Sequence, residues 1–155
     1  MGAVSGNTDF TTEGILDTTT TLGGAEAGAF DQAITKADPA MLMMSLATYQ
    51  SIDPNNPAVF SSTIIDGHIR NALKYTGVVI SDSMSAEALS SYDVSQLGVK
   101  LVEAGGDMSC IGQTDYVKPI VDGLNERAKS DPAFASKVTA AATRVMTLKI
   151  KMGLA

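Results

Sequence analysis

The sequence predicts an α/β fold in which parallel strands alternate with helices. Short apolar runs occur at residues 41–47, 77–81 and 107–111, and apolar residues at helical spacing follow each run. Clusters of turn-forming residues separate these segments. Strands that alternate with helices are typical of a parallel sheet covered by helices. A complete eight-stranded barrel needs about 250 residues. The chain of 155 residues is therefore either a small open sheet or part of a barrel.

The first third of the chain predicts a loop, a helix, a strand and a second loop. Residues 1–24 are rich in Gly, Thr and Asp and show no apolar period, which predicts a long loop. Residues 25–36 place their apolar side chains on one helical face. The run Met41–Ala47 predicts a strand buried on both faces. Residues 53–57 are a dense cluster of turn formers and predict a loop.

The rest of the chain predicts two further strands, each between helices. A helix that Ser61 or Ser62 caps leads to the strand Gly77–Ser81, and Asp82 stands immediately after that strand. A short helix is predicted from Ala86, a longer helix over Ser95–Ala104, and a weaker strand over Asp107–Ile111. A further helix begins at Thr114 or Asp115. The last helix is capped by Asp131 and has Pro132 at its first position. The apolar stripe of the last helix is predicted to contain Phe134, Val138, Ala142, Val145 and Met152.

Composition excludes several classes of function. The net charge of −6 repels phosphate backbones and anionic membrane surfaces, so neither nucleic acid nor membrane is an expected partner. With one histidine, His68, and one cysteine, Cys110, we expect no metal site, and His68 is predicted to lie on the surface. The chain has no signal peptide pattern and no apolar stretch near the roughly 18 residues of a membrane span. The single cysteine slightly favours the cytoplasm, and a secreted parent protein stays open.

Asp82 is the first candidate for chemistry. In parallel α/β folds, working residues gather at the carboxyl ends of strands, where Asp82 is predicted to stand. A carboxylate at this place can act as a nucleophile, a base or a metal ligand. It can equally cap the turn that follows the strand. Position alone leaves these alternatives open.

Four segments, taken in order, resemble the catalytic barrel of family 3 glycoside hydrolases. The segment Gly77–Ser85 (GVVISDSMS) resembles the strand that ends in the nucleophile of this family, and FSSTIIDGHIR at 60–70 resembles the helix before it. AGGD at 104–107 resembles the motif that precedes the last strand, and RVMTLKIKMGL at 144–154 resembles the closing helix. The resemblance implies the last three β/α units of a TIM-type (β/α)8 barrel. Residues 1–155 are then part of a catalytic domain, residues 1–24 are an active-site loop, and Asp82 is the nucleophile.

The opening loop resembles the acid/base loop of the bacterial β-N-acetylglucosaminidase branch of this family. Within Gly2–Asp9, Asn7 stands where the family has an aspartate, and Asp9 stands where it has a histidine. The resemblance makes Asp9 the candidate general acid/base, since a carboxylic acid with a raised pKa can protonate a glycosidic oxygen. It makes Asn7, Tyr49 and Met84 candidate sugar contacts. Asn7 and Asp9 are also ordinary turn formers, and Tyr49 is equally suited to packing.

The implied function is retaining hydrolysis of terminal β-N-acetylhexosaminides or β-glucosides through a covalent glycosyl-aspartate, without metal or cofactor. Carbohydrate is the implied substrate, and most of the sugar-binding groups belong to the missing amino-terminal half of the barrel. The alternatives are an inactive barrel fragment and a small α/β binding module that self-associates. We expect the inner strand faces, with Met43, Val79 and Met108, to be covered by the missing half or by a second copy of the chain.

Overall fold

The computed structural model of the chain describes residue 2 and residues 4–155. The helices and strands follow in the order β1 (Leu16–Asp17), α1 (Ala25–Ala37), β2 (Met41–Met44), β3 (Thr48–Tyr49), a π-helix (Thr63–Ala72), β4 (Val78–Ser83), α2 (Val94–Glu103), β5 (Met108–Cys110), α3 (Val117–Ser130) and α4 (Pro132–Lys151). Single 3₁₀ turns lie at Ala58–Phe60, Glu87–Leu89 and Thr114–Tyr116. The predicted alternation of strands and helices is confirmed, and most boundaries agree to within three residues.

The central sheet has the order β2-β4-β5, and all of its strands are parallel. Met41 pairs with Val78, and the pairing continues residue by residue to Met44 and Ser81. The two-residue strands β1 and β3 form a separate parallel pair. The parallel arrangement confirms the prediction from the sequence and brings the carboxyl ends of β4 and β5 together at one edge of the sheet.

One face of the sheet is covered by helices and the other is open. On the covered face, Val79 is 0% exposed. On the open face, Met43 pairs with Ile80, which in turn pairs with Met108, and Met43 is 68% exposed. The expectation that β2 is buried on both faces is therefore wrong for the chain alone. The placement of Val79 on the inner face is also wrong, because side chains alternate along a strand and Ile80 occupies that face.

The helices pack on the covered face around two apolar clusters. The larger cluster joins the π-helix and α2 to the sheet through residues such as Ile65, Leu97 and Leu101. The smaller cluster fixes α4 through Phe134. Asp131 begins α4 as predicted, because its Oδ1 accepts the N–H groups of Ala133 at 3.0 Å and Phe134 at 3.1 Å.

The apolar stripe of α4 differs from the prediction at two positions. Ala141 is buried at 3% exposure and Ala142 is exposed, so the stripe lies one residue earlier than predicted. Met152 lies beyond the end of α4 and is 62% exposed. Only the first part of the predicted stripe therefore packs into the core.

The π-helix begins where Ser61 Oγ accepts the N–H of Ile64 at 3.2 Å, so Ser61 and not Ser62 provides the cap. Backbone bonds between residues five apart, such as His68 O to Leu73 N at 2.9 Å, define its wider turn. His68 Nε2 lies 2.8 Å from Asp31 Oδ1 on α1, and the His68 side chain is 16% exposed. The expectation of a surface histidine is therefore wrong, because His68 bridges two helices.

A buried carboxylate fixes the amino-terminal end of the sheet. The Asp107 side chain is 0% exposed and accepts hydrogen bonds from Arg70 Nη2 at 2.5 Å and Arg144 Nε at 2.8 Å. It also accepts the backbone N–H of Val79 at 2.8 Å. Arg70 in addition donates to Gly77 O at 2.6 Å. This Asp107 network connects the π-helix, β4, the start of β5 and α4.

Candidate active site

Asp82 lies at the carboxyl end of β4, inside the strand and one residue before its last position. Its side chain is partly buried, and Oδ1 accepts the N–H of Ser83 at 2.8 Å. No other hydrogen bond to this carboxylate occurs within residues 4–155. One oxygen is therefore held by the backbone, and the other accepts no hydrogen bond from the described residues.

A β-bulge interrupts the pairing of β4 with β5 at Asp82. Ile80 pairs with Met108 and Ser83 pairs with Cys110, so three residue steps on β4 face two on β5. In the bulge, Ser81 Oγ accepts the N–H of Cys110 at 2.9 Å. The carbonyl of Cys110 accepts the N–H of Met84, also at 2.9 Å. Bulges of this kind are frequent beside active sites because they redirect a side chain.

The opening loop reaches the same edge of the sheet. The carbonyl of Thr8 accepts the N–H of Ala88 at 3.0 Å, and the carbonyl of Asp9 accepts the N–H of Glu87 at 3.4 Å. Because Glu87 and Ala88 lie on the turn directly after β4, these bonds tie the loop to the segment that follows Asp82. The side chain of Asp9 is exposed. The structure thus places both candidate carboxylates on connected segments at one end of the sheet.

Asn7 acts within its own loop. Its Oδ1 accepts the N–H of Asp9 at 2.9 Å, and its carbonyl accepts the N–H of Phe10 at 3.2 Å. This is the hydrogen bonding of a turn former. Phe10, which the sequence analysis did not single out, is 81% exposed beside Asp9. A loop without apolar period gives no signal by which such an exposed ring is recognised.

The side chains of Tyr49 and Met84 do not reach the edge of the sheet at which Asp82 lies. They are 2% and 1% exposed and belong to the apolar core, so neither side chain is available to a sugar in this structure. The pKa of the Tyr49 hydroxyl is raised, chiefly by burial. A hydrogen bond with Ser45 acts to lower this pKa, and the Asp17 carboxylate acts to raise it. Position next to a motif does not show which way a side chain points, so the assignment of Tyr49 and Met84 as sugar contacts stays a prediction.

Small polar groups complete the surroundings of Asp82. The hydroxyls of Ser83 and Ser85 lie 3.1 Å apart, and Ser85 Oγ accepts the N–H of Gly112 at 3.1 Å. The thiol of Cys110 is exposed. Across the described residues, His, Cys, Asp and Glu side chains form no group of three that suits a metal ion.

Two cavities among the described residues lie away from this edge. An apolar cavity of about 120 Å³ lies between α1, β2 and the π-helix. Another of about 540 Å³ lies at the amino-terminal end of β4 against α4. Neither is lined by Asp82 or Asp9.

No helix among the described residues has the length and apolar character needed to cross a bilayer. This finding concerns the helices alone.

Comparisons with known proteins cover nearly the whole chain. The model of the glycosyl hydrolase family 3 N-terminal domain matches residues 2–148. The solved β-N-acetylhexosaminidase of Beutenbergia cavernae DSM 12333 is 35% identical with a TM-score of 0.86, over 94% of this chain and 43% of that one. A family 3 β-N-acetylglucosaminidase from Paenibacillus sp. str. FPU-7 is 26% identical with a TM-score of 0.78, over 90% of this chain and 27% of that one.

A curated relative matches over a shorter stretch. An uncharacterized secreted glycosyl hydrolase of Arthroderma benhamiae is 36% identical over 69 residues, which are 44% of this chain and 20% of that protein. The chain thus spans less than half the length of each of these three relatives.

Proposed function

This chain belongs to glycosyl hydrolase family 3, and from that membership we propose that it is the carboxyl-terminal part of a catalytic barrel that hydrolyses glycosides. In this proposal β2, β4 and β5 are the sixth, seventh and eighth strands of a TIM-type barrel, and residues 1–24, which include the short strand β1, are an active-site segment. Terminal β-N-acetylhexosaminides are the favoured substrates, because the Beutenbergia and Paenibacillus relatives are named for that activity.

The geometry of Asp82 supports the role of nucleophile. The Asp82 carboxylate attacks the anomeric carbon while the bond from that carbon to the glycosidic oxygen breaks, and a glycosyl ester on Asp82 forms with one inversion. A water molecule then attacks the same carbon and releases Asp82, so the configuration is retained overall. The bond from Ser83 N–H to Oδ1 holds the carboxylate in one orientation during both steps.

We assign the proton transfers to Asp9. In the first step its carboxylic acid protonates the leaving oxygen, and in the second its carboxylate takes a proton from the attacking water. The bonds from Glu87 and Ala88 to the loop carbonyls support this role, since they keep the loop beside the segment after Asp82. Retaining enzymes hold their two carboxyl groups about 5–5.5 Å apart.

The remaining half of the barrel is the proposed partner of the open face. Exposed apolar side chains on that face, with Met43 at 68% exposure, have no covering layer among the described residues. The outer edges of β2 and β5 carry backbone groups that invite pairing with further strands. Because neither of the two cavities described above is lined by Asp82, we expect little or no glycosidase activity from the 155-residue chain by itself.

Covalent labelling tests the nucleophile. An activated 2-fluoro glycoside should form a stable ester in the natural full-length protein, and peptide mass spectrometry should place it on Asp82. Asp82→Asn should abolish labelling and hydrolysis. The matched control is Asp122→Asn on α3, whose exposed carboxylate pairs with Lys118 and should be dispensable. A label on another carboxylate refutes the assignment. Aryl β-N-acetylglucosaminide and β-glucoside rates, measured side by side, decide the sugar.

A leaving-group series tests Asp9. Asp9→Asn should slow aryl glycosides with poor leaving groups much more than those with good ones, because only poor leaving groups need a proton. Equal losses across the series would leave Asp9 as a turn residue of the loop.

A further inference from the structure

We propose that Ser81 is a positioning residue for Asp82: its buried hydroxyl holds the β-bulge from which the Asp82 carboxylate projects. The inference rests on the proposed function of Asp82 and adds a role for its neighbour. It starts from three features described above, namely the uneven pairing of β4 with β5, the full burial of Ser81 and the bond to Cys110.

The bulge needs an acceptor that the backbone does not supply. Between the pairs Ile80–Met108 and Ser83–Cys110, β4 contains one residue more than β5. The regular hydrogen bonding between backbone N–H and carbonyl groups of the two strands is therefore interrupted there. Ser81 Oγ accepts the N–H of Cys110 at 2.9 Å at this point. The hydroxyl therefore takes the place of a ladder carbonyl.

The residue type at 81 follows from burial. Ser81 is 0% exposed on the face that also carries Val79, where an apolar side chain is the normal occupant. A buried hydroxyl is costly unless it is hydrogen-bonded, and the described chain contains no buried side-chain polar atom without a partner. Ser81 and the Cys110 N–H thus satisfy each other, and an alanine at 81 leaves a backbone donor unpaired.

The two bonds to Cys110 enclose the candidate nucleophile. Ser81 binds the N–H of Cys110, and Met84 N–H binds its carbonyl, so the segment between them, Asp82 and Ser83, is fixed at both ends. Within that segment Ser83 N–H donates to Asp82 Oδ1. The direction of the carboxylate is therefore set by the short backbone segment between Ser81 and Met84, and the Ser81 hydroxyl fixes the first end of that segment.

The test compares Ser81→Ala with Ser81→Thr in the natural full-length protein. Thr keeps a hydroxyl at the same carbon, and Ala removes it. Loss of the anchor should lower kcat by about 10–100-fold, as misplacement of a reacting group by up to about 1 Å does. KM should change less, since sugar binding does not use Ser81. The labelling rate of Asp82 should fall in parallel, and Thr should restore both rates.

The matched control is Ser61→Ala. Ser61 is also 0% exposed, and its hydroxyl bonds to Asp53 Oδ2 at 2.7 Å and to the N–H of Ile64. Its loss should lower stability and leave kcat unchanged. Hydrogen exchange at the Cys110 amide should accelerate in Ser81→Ala and stay unchanged in Ser61→Ala.

The outcomes separate this inference from the proposed function. If wild type is labelled on Asp82 and Ser81→Ala is labelled and turns over at the same rate, Ser81 does not position the nucleophile and the proposed function stands. If wild type is labelled elsewhere, both fail. Should Ser81→Ala not fold, Ser81→Cys replaces it, because a thiol fills similar space and is a weak acceptor. A wild-type kcat in Ser81→Cys then overturns the inference.

Discussion

Removing the carboxylate of the Asp107 network should destabilise the fold strongly. Asp107→Ala deletes the acceptor of Arg70 at 2.5 Å, of Arg144 at 2.8 Å and of the Val79 N–H at 2.8 Å. The carboxylate is 0% exposed and the Arg70 side chain is 12% exposed, so solvent does not replace the lost partner. We expect the free energy of unfolding to fall by about 3–5 kcal/mol, as for one partner removed from a buried ion pair.

Two structural details set the size of this effect. The N–H of Val79 becomes a buried donor without an acceptor, which alone costs about 1–3 kcal/mol. Against this, Arg70 keeps the carbonyls of Gly77 and Tyr75 as acceptors, and Arg144 is 29% exposed and regains some hydration. These contacts limit the penalty for the two cations.

Urea unfolding followed by circular dichroism measures the change, with the protein concentration held fixed so that association does not vary. With a slope of about 2 kcal/mol per molar urea, the midpoint should fall by roughly 1.5–2.5 M. The control is Asp122→Ala, which breaks the pair between Lys118 and Asp122 at 83% and 52% exposure and should cost less than about 0.5 kcal/mol. A loss below about 1 kcal/mol for Asp107→Ala refutes the argument.

Three further predictions concern packing, titration and assembly. Gly123→Ala should lower the free energy of unfolding by more than about 2 kcal/mol, because a Cβ at this position would lie 2.0 Å from the Ser95 carbonyl oxygen. Gly28→Ala in α1 should raise it by about 0.5–1 kcal/mol, because the space around Gly28 is open. Urea midpoints measure both changes. Burial raises the pKa of Tyr75 to about 12, so the unfolded chain loses this proton first and stability should fall by about 2 kcal/mol as pH rises from 10 to 12. Tyr75→Phe should reduce this slope in unfolding curves, and the slope that remains is expected from Tyr49 and Tyr92, because burial also raises the pKa of each. Light scattering should find the isolated chain self-associated through its open sheet face, and a stable, active monomer would contradict that prediction.

The fold was largely predictable because its signals are local. A run of apolar residues, a helical period and a capping aspartate such as Asp131 act over a few residues, so the element order and the start of α4 followed from the sequence. Burial did not follow as well. The apolar run of β2 predicts a buried Met43, but it does not show that Met43 is exposed on the open face of the sheet. The face of the sheet on which Val79 lies depends on the strand register, because a shift of one residue moves every side chain to the opposite face.

The site was predictable only in part, because its contacts are distant in sequence. Asp82 could be singled out from its strand and its motif. The bond of Ser81 to Cys110 joins residues 29 apart, and that of His68 to Asp31 joins residues 37 apart. No periodicity records such pairs. The burial of Tyr49 depends in the same way on several elements that pack around it.

The Asp107 network also affects the stage of synthesis at which the chain can fold stably. Arg144 follows Asp107 by 37 residues and lies on the last helix, so the ribosome has made the whole sheet before the second cation exists. A nascent chain that ends before α4 holds a desolvated carboxylate with one arginine, and its β4 lacks the helix that packs on it. Because domains emerge at about 5–20 residues per second, the sheet waits several seconds for the contacts that α4 supplies.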